Sequence, residues 1–243
     1  MFTISLIAQK GGAGKTTIAL GLAVAAARAG HATAIVDLDP QASAAKWNER
    51  RDDDNPAVVS APASRLKHTM DTARAEGVDF AFIDTAGRKD DSALNAARIS
   101  DLVLIPTRPN ILELETLPEV IELLKVAGSP PAFVLLNGVH PSTGNRGIFD
   151  TQRTIKELFG LTVCPVHVCQ RSAHAEAPTS GQSPQELDAD GKAADELNRL
   201  FDFTSEFVNS GRETQIRNSL DRRWLELDRL FASTCEVMSL GKG

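Results

Sequence analysis

The sequence lacks the features that would place it in a membrane or outside the cell. No stretch approaches the run of about 18 uninterrupted apolar residues that a membrane-spanning helix requires. Three cysteines, Cys164, Cys169 and Cys235, form neither a Cys-x-x-Cys pair nor an even set, which argues against a disulfide framework and favours a reducing compartment. The chain enters an apolar segment at residue 2, so we expect no signal peptide. These absences predict a cytoplasmic protein.

Basic residues are also outnumbered, with 26 Lys and Arg against 32 Asp and Glu, for a net charge of −6 at pH 7. This balance argues against an extended basic surface. Any binding to nucleic acid has to come from a local patch and is partly opposed by overall repulsion. There is no internal repeat and no low-complexity tract. At 243 residues, with 42% hydrophobic and 24% charged residues, the chain fits one α/β domain with a short appendage.

Segments with strand and helix patterns alternate along the chain. Apolar runs predict strands, and stretches with a period near 3.6 residues predict helices. This alternation is typical of a doubly wound α/β fold, in which helices flank both faces of a mostly parallel sheet. The predicted strands are residues 2–8, 32–37, 78–84, 101–106, 132–137 and 161–168, and the predicted helices are residues 17–29, 42–51, 64–76, 113–126, 150–159 and 189–207.

A boundary is predicted near residues 209–211, which divides the chain into a domain of residues 1–209 and an extension of residues 210–243. The extension is expected to be helical, because its apolar residues recur at helical spacing. Its arginines are mixed with acidic residues, and its role is left open. The apolar stripe consists of Ile216, Leu220, Trp224, Leu227 and Phe231.

A glycine-rich loop, QKGGAGKTT at residues 9–17, follows the first predicted strand and opens the first predicted helix. This is the context of a phosphate-binding loop, whose glycines let backbone N–H groups approach the phosphates. Lys15 supplies positive charge for the β- and γ-phosphates, and the Thr16 hydroxyl can bind Mg²⁺. The residues predicted to bind nucleotide here are Lys10, Gly11, Gly12, Ala13, Gly14, Lys15, Thr16 and Thr17.

Carboxylates follow two of the apolar runs. Asp37 and Asp39 end the run ATAIVDLD, and Asp84 ends the run VDFAFID. The carboxyl ends of parallel strands open onto the ligand crevice, so these side chains are expected beside the phosphate loop. Asp84 is predicted to hold Mg²⁺ through a water, because Mg²⁺ keeps much of its hydration shell. A purely local role for Asp37 and Asp39, capping the next helix, remains open.

The loop departs from the common pattern G-x-x-x-x-G-K-[ST], which requires glycine at position 9, where this chain has Gln9. A second lysine, Lys10, precedes the glycine pair instead. The arrangement K-G-G-x-G-K-[ST]-T, together with D-x-D-P-Q from Asp37, resembles the ParA/MinD superfamily of deviant Walker A ATPases. The resemblance covers about residues 1–209 and is closest to short ParA-type partition ATPases. It implies a deviant Walker P-loop NTPase fold.

The resemblance implies a role for each motif. Lys10 would reach the partner's phosphates in an ATP-bound homodimer, and Asp39 would position the attacking water. Asp37 would support the Mg²⁺ shell. Asn137 would contact the purine ring, and no guanine-binding NKxD motif is present, so ATP is favoured over GTP. The predicted reaction is a slow, partner-stimulated hydrolysis of ATP with Mg²⁺, in which Lys10, Lys15 and Asp39 are the catalytic residues.

The resemblance also implies partners. Short ParA-type proteins bind double-stranded DNA without sequence preference as ATP dimers, and a ParB-type centromere-binding protein stimulates hydrolysis. The segment CQRSAHAEAP around Arg171 resembles the family segment that carries a DNA-contacting arginine, and Arg146 and Lys192 are weaker candidates. The protein is therefore expected to move plasmid or chromosome cargo on a bacterial nucleoid. A simple surface role for Arg171, and a strand-terminating role for Asn137, remain open.

The same superfamily contains proteins with other functions. A MinD-like regulator would bind a membrane through a terminal amphipathic helix. Three acidic residues dilute the basic face of the 210–243 stripe, so membrane binding is not favoured. Positioning of another cargo, such as a protein array or microcompartment, cannot be separated from partition, because the adaptor lies outside this chain. Iron–sulfur members are disfavoured by the cysteines, and dethiobiotin-synthetase-like ligases by Lys10 and D-x-D-P-Q.

Overall fold

The computed structural model describes residues 1–87 and 91–211. Within these, seven strands form one sheet in the order β3-β2-β4-β1-β5-β6-β7, and all of its pairings are parallel. This confirms the predicted α/β fold with a parallel sheet. The strands are β1 (Phe2–Leu6), β2 (Thr33–Asp37), β3 (Ala57–Ser60), β4 (Phe80–Asp84), β5 (Leu102–Thr107), β6 (Ala132–Val139) and β7 (Val168–Cys169).

Helices connect successive strands, and short 3₁₀ turns occupy Ala63–Arg65 and Ala177–Ser180. No helix within the described ranges combines the length and the apolar character needed to cross a bilayer. The helices are α1 (Lys15–Arg28), α2 (Ser43–Asn48), α3 (Leu66–Ala75), α4 (Asp91–Ile99), α5 (Ile111–Leu114), α6 (Leu117–Val126), α7 (Asn145–Phe159), α8 (Ala173–Glu176), α9 (Pro184–Leu187) and α10 (192–203).

Met1–Phe203 form one compact unit. Of the second unit, Thr204–Gly243, the structure describes residues 204–211, which are helical. The apolar stripe predicted within residues 210–243 lies outside the described residues. The division of the chain into residues 1–209 and 210–243 therefore stays a prediction.

The core of the first unit lies on the two faces of the sheet. Central strands are buried along their whole length, as expected for a parallel sheet covered on both sides. One apolar cluster joins β5 and β6 to α6, with Val103, Ile105, Val134 and Leu136 among its fully buried members. Another joins β2 and β4 to α3. This packing fixes the carboxyl ends of β1, β2, β4, β5 and β6 relative to one another.

Two predicted helices differ from the observed ones by more than a small shift of their ends. The helix predicted over 113–126 is two helices, α5 and α6, because Pro118 in the first turn of α6 has no N–H to continue an earlier helix. The helix predicted from Asp150 begins at Asn145, after an extended Gly144. Asp150 therefore lies inside α7 and does not cap it.

The strands also differ from prediction at both edges of the sheet. The strand predicted over 161–168 is reduced to an isolated bridge at Val163 and the two residues of β7. Pro165, which has no N–H to donate, lies between these two pairings. At the opposite edge, β3 was not predicted, because it has only four residues, AVVS, and they are mostly exposed. Helix α4 was also missed.

A buried cation links α2 to the segment that contains α9. The Arg51 side chain is only 3% exposed and pairs with both carboxylate oxygens of Glu186, at 2.8 and 2.9 Å. Its guanidinium carbon lies 4.3 Å from the ring centroid of Trp47. Trp47 Nε1 in turn donates to the Gln182 carbonyl at 2.9 Å. These contacts tie the end of α2, whose first turn donates to Asp37, to residues 181–187.

Candidate nucleotide site

The glycine-rich loop connects β1 to α1 at the carboxyl edge of the sheet. Helix α1 begins at Lys15, and Gly14 precedes it with φ +96°. Gly12 is also left-handed, with φ +82°. These conformations are strained for residues with a side chain. A Cβ at Gly14 would in addition collide with the Asn137 amide. The glycines at these two positions are therefore required by the backbone itself.

Lys15 lies inside this loop, with only 6% of the residue exposed. Its Nζ is 3.4 Å from the Lys10 carbonyl, a long contact for an ammonium group. Burial lowers the pKa of Lys15, while the charges of Asp84 and Asp39 oppose that shift. The Lys15 ammonium group therefore lies inside the loop beside a neutral carbonyl oxygen, where its positive charge is available to bind a phosphate group.

Thr16 and Asp84 form the pair that the motifs predict for a metal site. The Thr16 hydroxyl donates to Asp84 Oδ2 at 2.6 Å, and Asp84 is completely buried at the end of β4. The other oxygen, Oδ1, has no hydrogen-bond partner among the described residues. Burial raises the pKa of Asp84 to about 7. An unsatisfied buried carboxylate oxygen beside a hydroxyl fits a hard cation such as Mg²⁺, which would supply the missing charge.

Asp37, at the end of β2, is also fully buried, and its carboxylate contacts three backbone N–H groups. Oδ1 accepts from Asp39 at 3.0 Å, while Oδ2 accepts from Ala44 and Ala45 at 2.9 and 3.3 Å. The last two belong to the first turn of α2. Asp37 thus has the local capping role that remained open from the sequence. Support of a Mg²⁺ shell by Asp37 stays a prediction.

Replacing Asp37 by alanine is expected to destabilise the fold by about 2–4 kcal/mol, because buried N–H groups at the start of α2 lose their acceptor. Asp37→Asn keeps one acceptor oxygen and should cost less. Urea unfolding followed by circular dichroism measures both. Alanine at Asp53, whose turn is exposed, is the control. An unchanged midpoint for Asp37→Ala would show that other groups satisfy these amides.

Asp39 is half-buried and lies two residues farther on. One carboxylate oxygen accepts the Gln41 N–H at 2.9 Å. Its charge acts on both Lys15 and Asp84, opposing the lowered pKa of the first and contributing to the raised pKa of the second. Asp37, Asp39, Asp84 and Lys15 therefore form one electrostatic cluster. This is the proximity that a water-positioning carboxylate needs.

The turn after β4 packs directly against the phosphate loop. Thr85 is buried, and its hydroxyl donates to the Leu6 carbonyl of β1 at 2.7 Å. A Cβ at Gly87 would lie 2.8 Å from Gly11 N, so only glycine allows this approach. The turn after β4 therefore contacts the Lys10–Gly11 end of the loop.

Lys10, the second lysine of the motif, points away from Lys15. Its Nζ donates to the Leu112 carbonyl in α5 at 2.7 Å. The neighbouring apolar side chains, Ile111 and Leu112, are 60% and 64% exposed. The Lys10 side chain is thus directed toward an exposed apolar ridge at the edge of the site. Its role toward a second chain stays a prediction.

Two side chains brace the loop from the neighbouring strands. Asn137 Nδ2 donates to the Ala13 carbonyl at 2.7 Å, which places this residue in the site, although its contact with a purine stays a prediction. Arg108, directly after β5, donates through Nη2 to the Gly12 carbonyl at 3.0 Å. Sequence reasoning missed Arg108. Its position just past a strand that pairs with β1 was the signal that could have found it.

Arg171, the predicted DNA contact, is engaged within its own unit. Its Nη2 and Nε donate to Glu196 Oε1 at 2.6 and 3.1 Å, while Glu196 Oε2 accepts the Cys169 N–H at 2.9 Å. The Arg171 side chain is 23% exposed. The hydrogen bond to Glu196 raises the pKa of Arg171. This pairing joins β7 to α10, and contact with DNA stays a prediction.

The phosphate loop and the strands that carry the site lie within a region that matches a known protein family. A family model described as the CobQ/CobB/MinD/ParA nucleotide binding domain matches residues 4–184, which is most of the chain. The chain belongs to this family. The ParA/MinD resemblance predicted from Lys10 and from the D-x-D-P-Q motif is thereby confirmed. The ParA/MinD members of this family are nucleotide-hydrolysing P-loop ATPases.

The chain also matches individual proteins of the ParA/MinD family over most of their length. The chain is 30% identical over 209 residues to the maintenance of carboxysome distribution protein A of Gloeobacter kilaueensis, covering 81% of this chain and 94% of the relative. It is 26% identical over 213 residues to the chromosome-partitioning ATPase Soj of Thermus thermophilus, covering 74% of this chain and 86% of the relative.

A solved structure of the family has the same fold. The septum site-determining protein MinD from Pyrococcus horikoshii, complexed with Mg-ADP, superposes with a TM-score of 0.65. It is 18% identical, and the match covers 84% of this chain and 95% of that one. This likeness confirms the P-loop NTPase fold of the first unit.

Proposed function

We propose that this protein is a ParA-type partition ATPase, which dimerises with ATP, binds DNA without sequence preference and hydrolyses ATP to position a plasmid or chromosome. The main support is the electrostatic cluster behind the phosphate loop. It combines a buried lysine, a hydroxyl–carboxylate pair with an unsatisfied oxygen, and a half-exposed Asp39. Such a cluster suits phosphoryl transfer to water, in which positioning and charge neutralisation supply most of the rate.

Each residue of the cluster has a separate task in this proposal. Lys15 binds the β- and γ-phosphates from inside the loop. Thr16 and Asp84 hold Mg²⁺, which neutralises charge on the phosphate oxygens when bound. Asp39 orients the attacking water, because its second carboxylate oxygen accepts no hydrogen bond from the described residues. Asn137 contacts the purine once its amide leaves the Ala13 carbonyl.

Dimerisation is the second part of the proposal. Lys10 lies beside Ile111 and Leu112, two large apolar side chains that a lone chain leaves exposed. A second copy would cover this ridge and offer its own phosphates to Lys10. ATP would then be both substrate and dimerisation ligand, provided that it binds the dimer-competent state more tightly than ADP does. Hydrolysis would reset the switch.

DNA and a ParB-type adaptor complete the proposal. The similarity to Soj, a chromosome-partitioning ATPase, supports partition as the process. Since the net charge is −6, non-specific binding has to use a local basic patch, for which Arg171, Arg146 and Lys192 are the candidates. Binding to the nucleoid would place the protein in the bacterial cytoplasm.

The experiment measures binding to arbitrary double-stranded DNA with ATP, ADP or no nucleotide, across a salt series. We expect binding only with ATP, without sequence preference, and weakening as salt rises. Arg171→Ala should lower the affinity and the salt slope while leaving dimerisation intact; Arg199→Ala, at an exposed position of α10, is the matched control. Dimers that form with ATP and bind no DNA would overturn partition on DNA.

A second candidate is an ATPase that positions another cargo. It is favoured by the 30% identity to a protein named for carboxysome distribution. That candidate shares the ATP-dependent dimer, and its adaptor would differ. A MinD-like membrane regulator is tested by adding liposomes of anionic lipid to the same series, and ATP-dependent binding to them would favour it over DNA partition.

A further inference from the structure

Helix α2 begins four residues after Asp39 and has few apolar contacts of its own. Of its six residues, Ala44 and Trp47 are buried. A helix of this length is unstable by itself in water, so α2 depends on the elements around it. Its first turn is fixed by Asp37, whose Oδ2 accepts the N–H groups of Ala44 and Ala45. The other end of α2 has a different set of partners.

Residues 181–187 hold that other end. Arg51, just past α2, donates through both Nη atoms to Glu186 at 2.8 and 2.9 Å, and the Arg51 side chain is 3% exposed. Its Nη1 also donates to the Gly181 carbonyl at 2.8 Å. A Cβ on Gly181 would lie 2.5 Å from the Arg50 carbonyl oxygen, so glycine allows the two backbones to approach. A buried ion pair and a close backbone contact therefore fix the end of α2.

Residues 181–187 are themselves anchored to α1, the helix that follows the phosphate loop. Gln185 is 1% exposed, and its Nε2 donates to the Gly21 carbonyl at 2.7 Å. Arg28, in the last turn of α1, donates to the Gln185 carbonyl at 2.9 Å. The segment thus joins the helix that follows β1 to the helix that follows β2.

The loop between Asp39 and α2 has a strained backbone. Ala42 has φ +51° and ψ +46°, a left-handed conformation that residues with a Cβ rarely adopt. Its N–H donates to the Asp39 carbonyl at 2.8 Å, and its own carbonyl accepts the Lys46 N–H at 3.0 Å. Such a conformation persists only where the surrounding structure holds it. The loop is held by β2 at one end and by α2 at the other, so the position of Asp39 depends on α2.

We infer that Arg51 and Glu186 are positioning residues for Asp39: their ion pair holds α2 against residues 181–187 and thereby keeps the strained loop in place. The inference rests on the proposed function, because it requires that Asp39 orients the attacking water. Lys15 is positioned by β1 and the phosphate loop instead. Loss of the ion pair should therefore slow hydrolysis far more than it weakens ATP binding.

The first test is ATP hydrolysis by Glu186→Gln with Mg²⁺. The substitution leaves a buried guanidinium without its counter-charge, which loosens the end of α2. We expect kcat to fall by about tenfold or more, because small displacements of a reacting group are costly, while KM for ATP stays within about threefold. Ala42→Gly added to this variant should raise its kcat by at least about threefold, because glycine adopts the left-handed conformation without strain.

Two further measurements separate positioning from a general loss of stability. Ile155→Ala, at a buried position of α7, is the matched control. Like Glu186→Gln it should lower the midpoint of urea unfolding, but its kcat should stay within about twofold of wild type. Hydrogen exchange without nucleotide follows the loop directly. The peptide that covers residues 39–46 should exchange faster in Glu186→Gln, whereas the phosphate-loop peptide should not.

The outcomes also separate this inference from the proposed function. Unchanged exchange at residues 39–46 in Glu186→Gln would overturn the inference, because the ion pair would then not hold the loop. A fall in kcat that Ile155→Ala reproduces, or that Ala42→Gly leaves unrelieved, overturns it as well. A wild-type chain that binds no ATP would instead overturn the proposed function, and the assignment of Asp39 to hydrolysis would fall with it.

Discussion

Alanine at position 15 is expected to weaken ATP binding by at least about 100-fold and to abolish ATP-dependent dimerisation. Lys15 is a buried ammonium group that forms no ion pair with a carboxylate of residues 1–87 or 91–211, and its Nζ lies 3.4 Å from the Lys10 carbonyl. In the bound state it would replace this weak contact with charge-assisted hydrogen bonds to phosphate oxygens, each about twice as strong as a neutral one. Isothermal titration with ATP and Mg²⁺ measures the change.

The Lys15→Ala chain should still fold, because the deletion removes a cation that burial already disfavours. The neighbouring Asp84 loses an attractive charge, so its pKa rises further and the carboxyl is more fully protonated near neutral pH. Lys125→Ala, on the exposed face of α6, is the control for loss of a lysine. ATP affinity within a few fold of wild type in Lys15→Ala would remove Lys15 from phosphate binding.

Residues at the ends of central strands were the part of the site that could be predicted from sequence. Asp37 and Asp84 each end a continuous apolar run. In a parallel sheet such strands all have their carboxyl ends at the same edge of the sheet. The same logic places Asn137 beside the loop. In each case the apolar run alone predicts the position of the residue, because a strand buried on both faces ends where the apolar run ends.

Side-chain contacts across that edge could not be predicted in the same way. The contact of Arg108 with Gly12 joins residues 96 positions apart, and that of Lys10 with Leu112 joins residues 102 apart. Neither follows from local periodicity. For Arg171 the local sequence suggests an exposed contact with DNA. In the structure its side chain instead pairs with Glu196 on α10. The position of Glu196 depends on packing that no local pattern encodes.

The edges of the sheet were also harder to predict than its centre. The short strand β3 has only four residues and is mostly exposed, so its sequence forms no long buried apolar run. At the other edge, Pro165 interrupts an apolar run that predicted a full strand. Strands β3 and β7 pair with the strands that carry Asp37 and Asn137, and they contribute none of the residues placed at the phosphate loop. The site is therefore built from the part of the fold in which sequence patterns are strongest.

Asparagine at position 39 is expected to leave ATP binding within about threefold of wild type and to slow hydrolysis by at least about 100-fold. Asp39 has two separable features, the hydrogen bond from Gln41 N–H at 2.9 Å and a negative charge beside Lys15 and Asp84. The amide oxygen of asparagine can keep the first, whereas the charge is lost. Asp39→Ala removes both. Phosphate release with saturating ATP and Mg²⁺ measures the rate, with Asp71→Asn as the surface control.

The oligomeric state of the Asp39 variants tests the coupling between hydrolysis and the dimer. If hydrolysis resets the switch, Asp39→Asn with ATP should remain dimeric, and its dimer should persist for as long as ATP stays intact. Sedimentation velocity with ATP and with ADP follows this directly. A variant that hydrolyses ATP as fast as wild type would exclude Asp39 from positioning the water. A slow variant that stays monomeric with ATP would separate hydrolysis from dimerisation, and Lys10 would then have no partner site to reach.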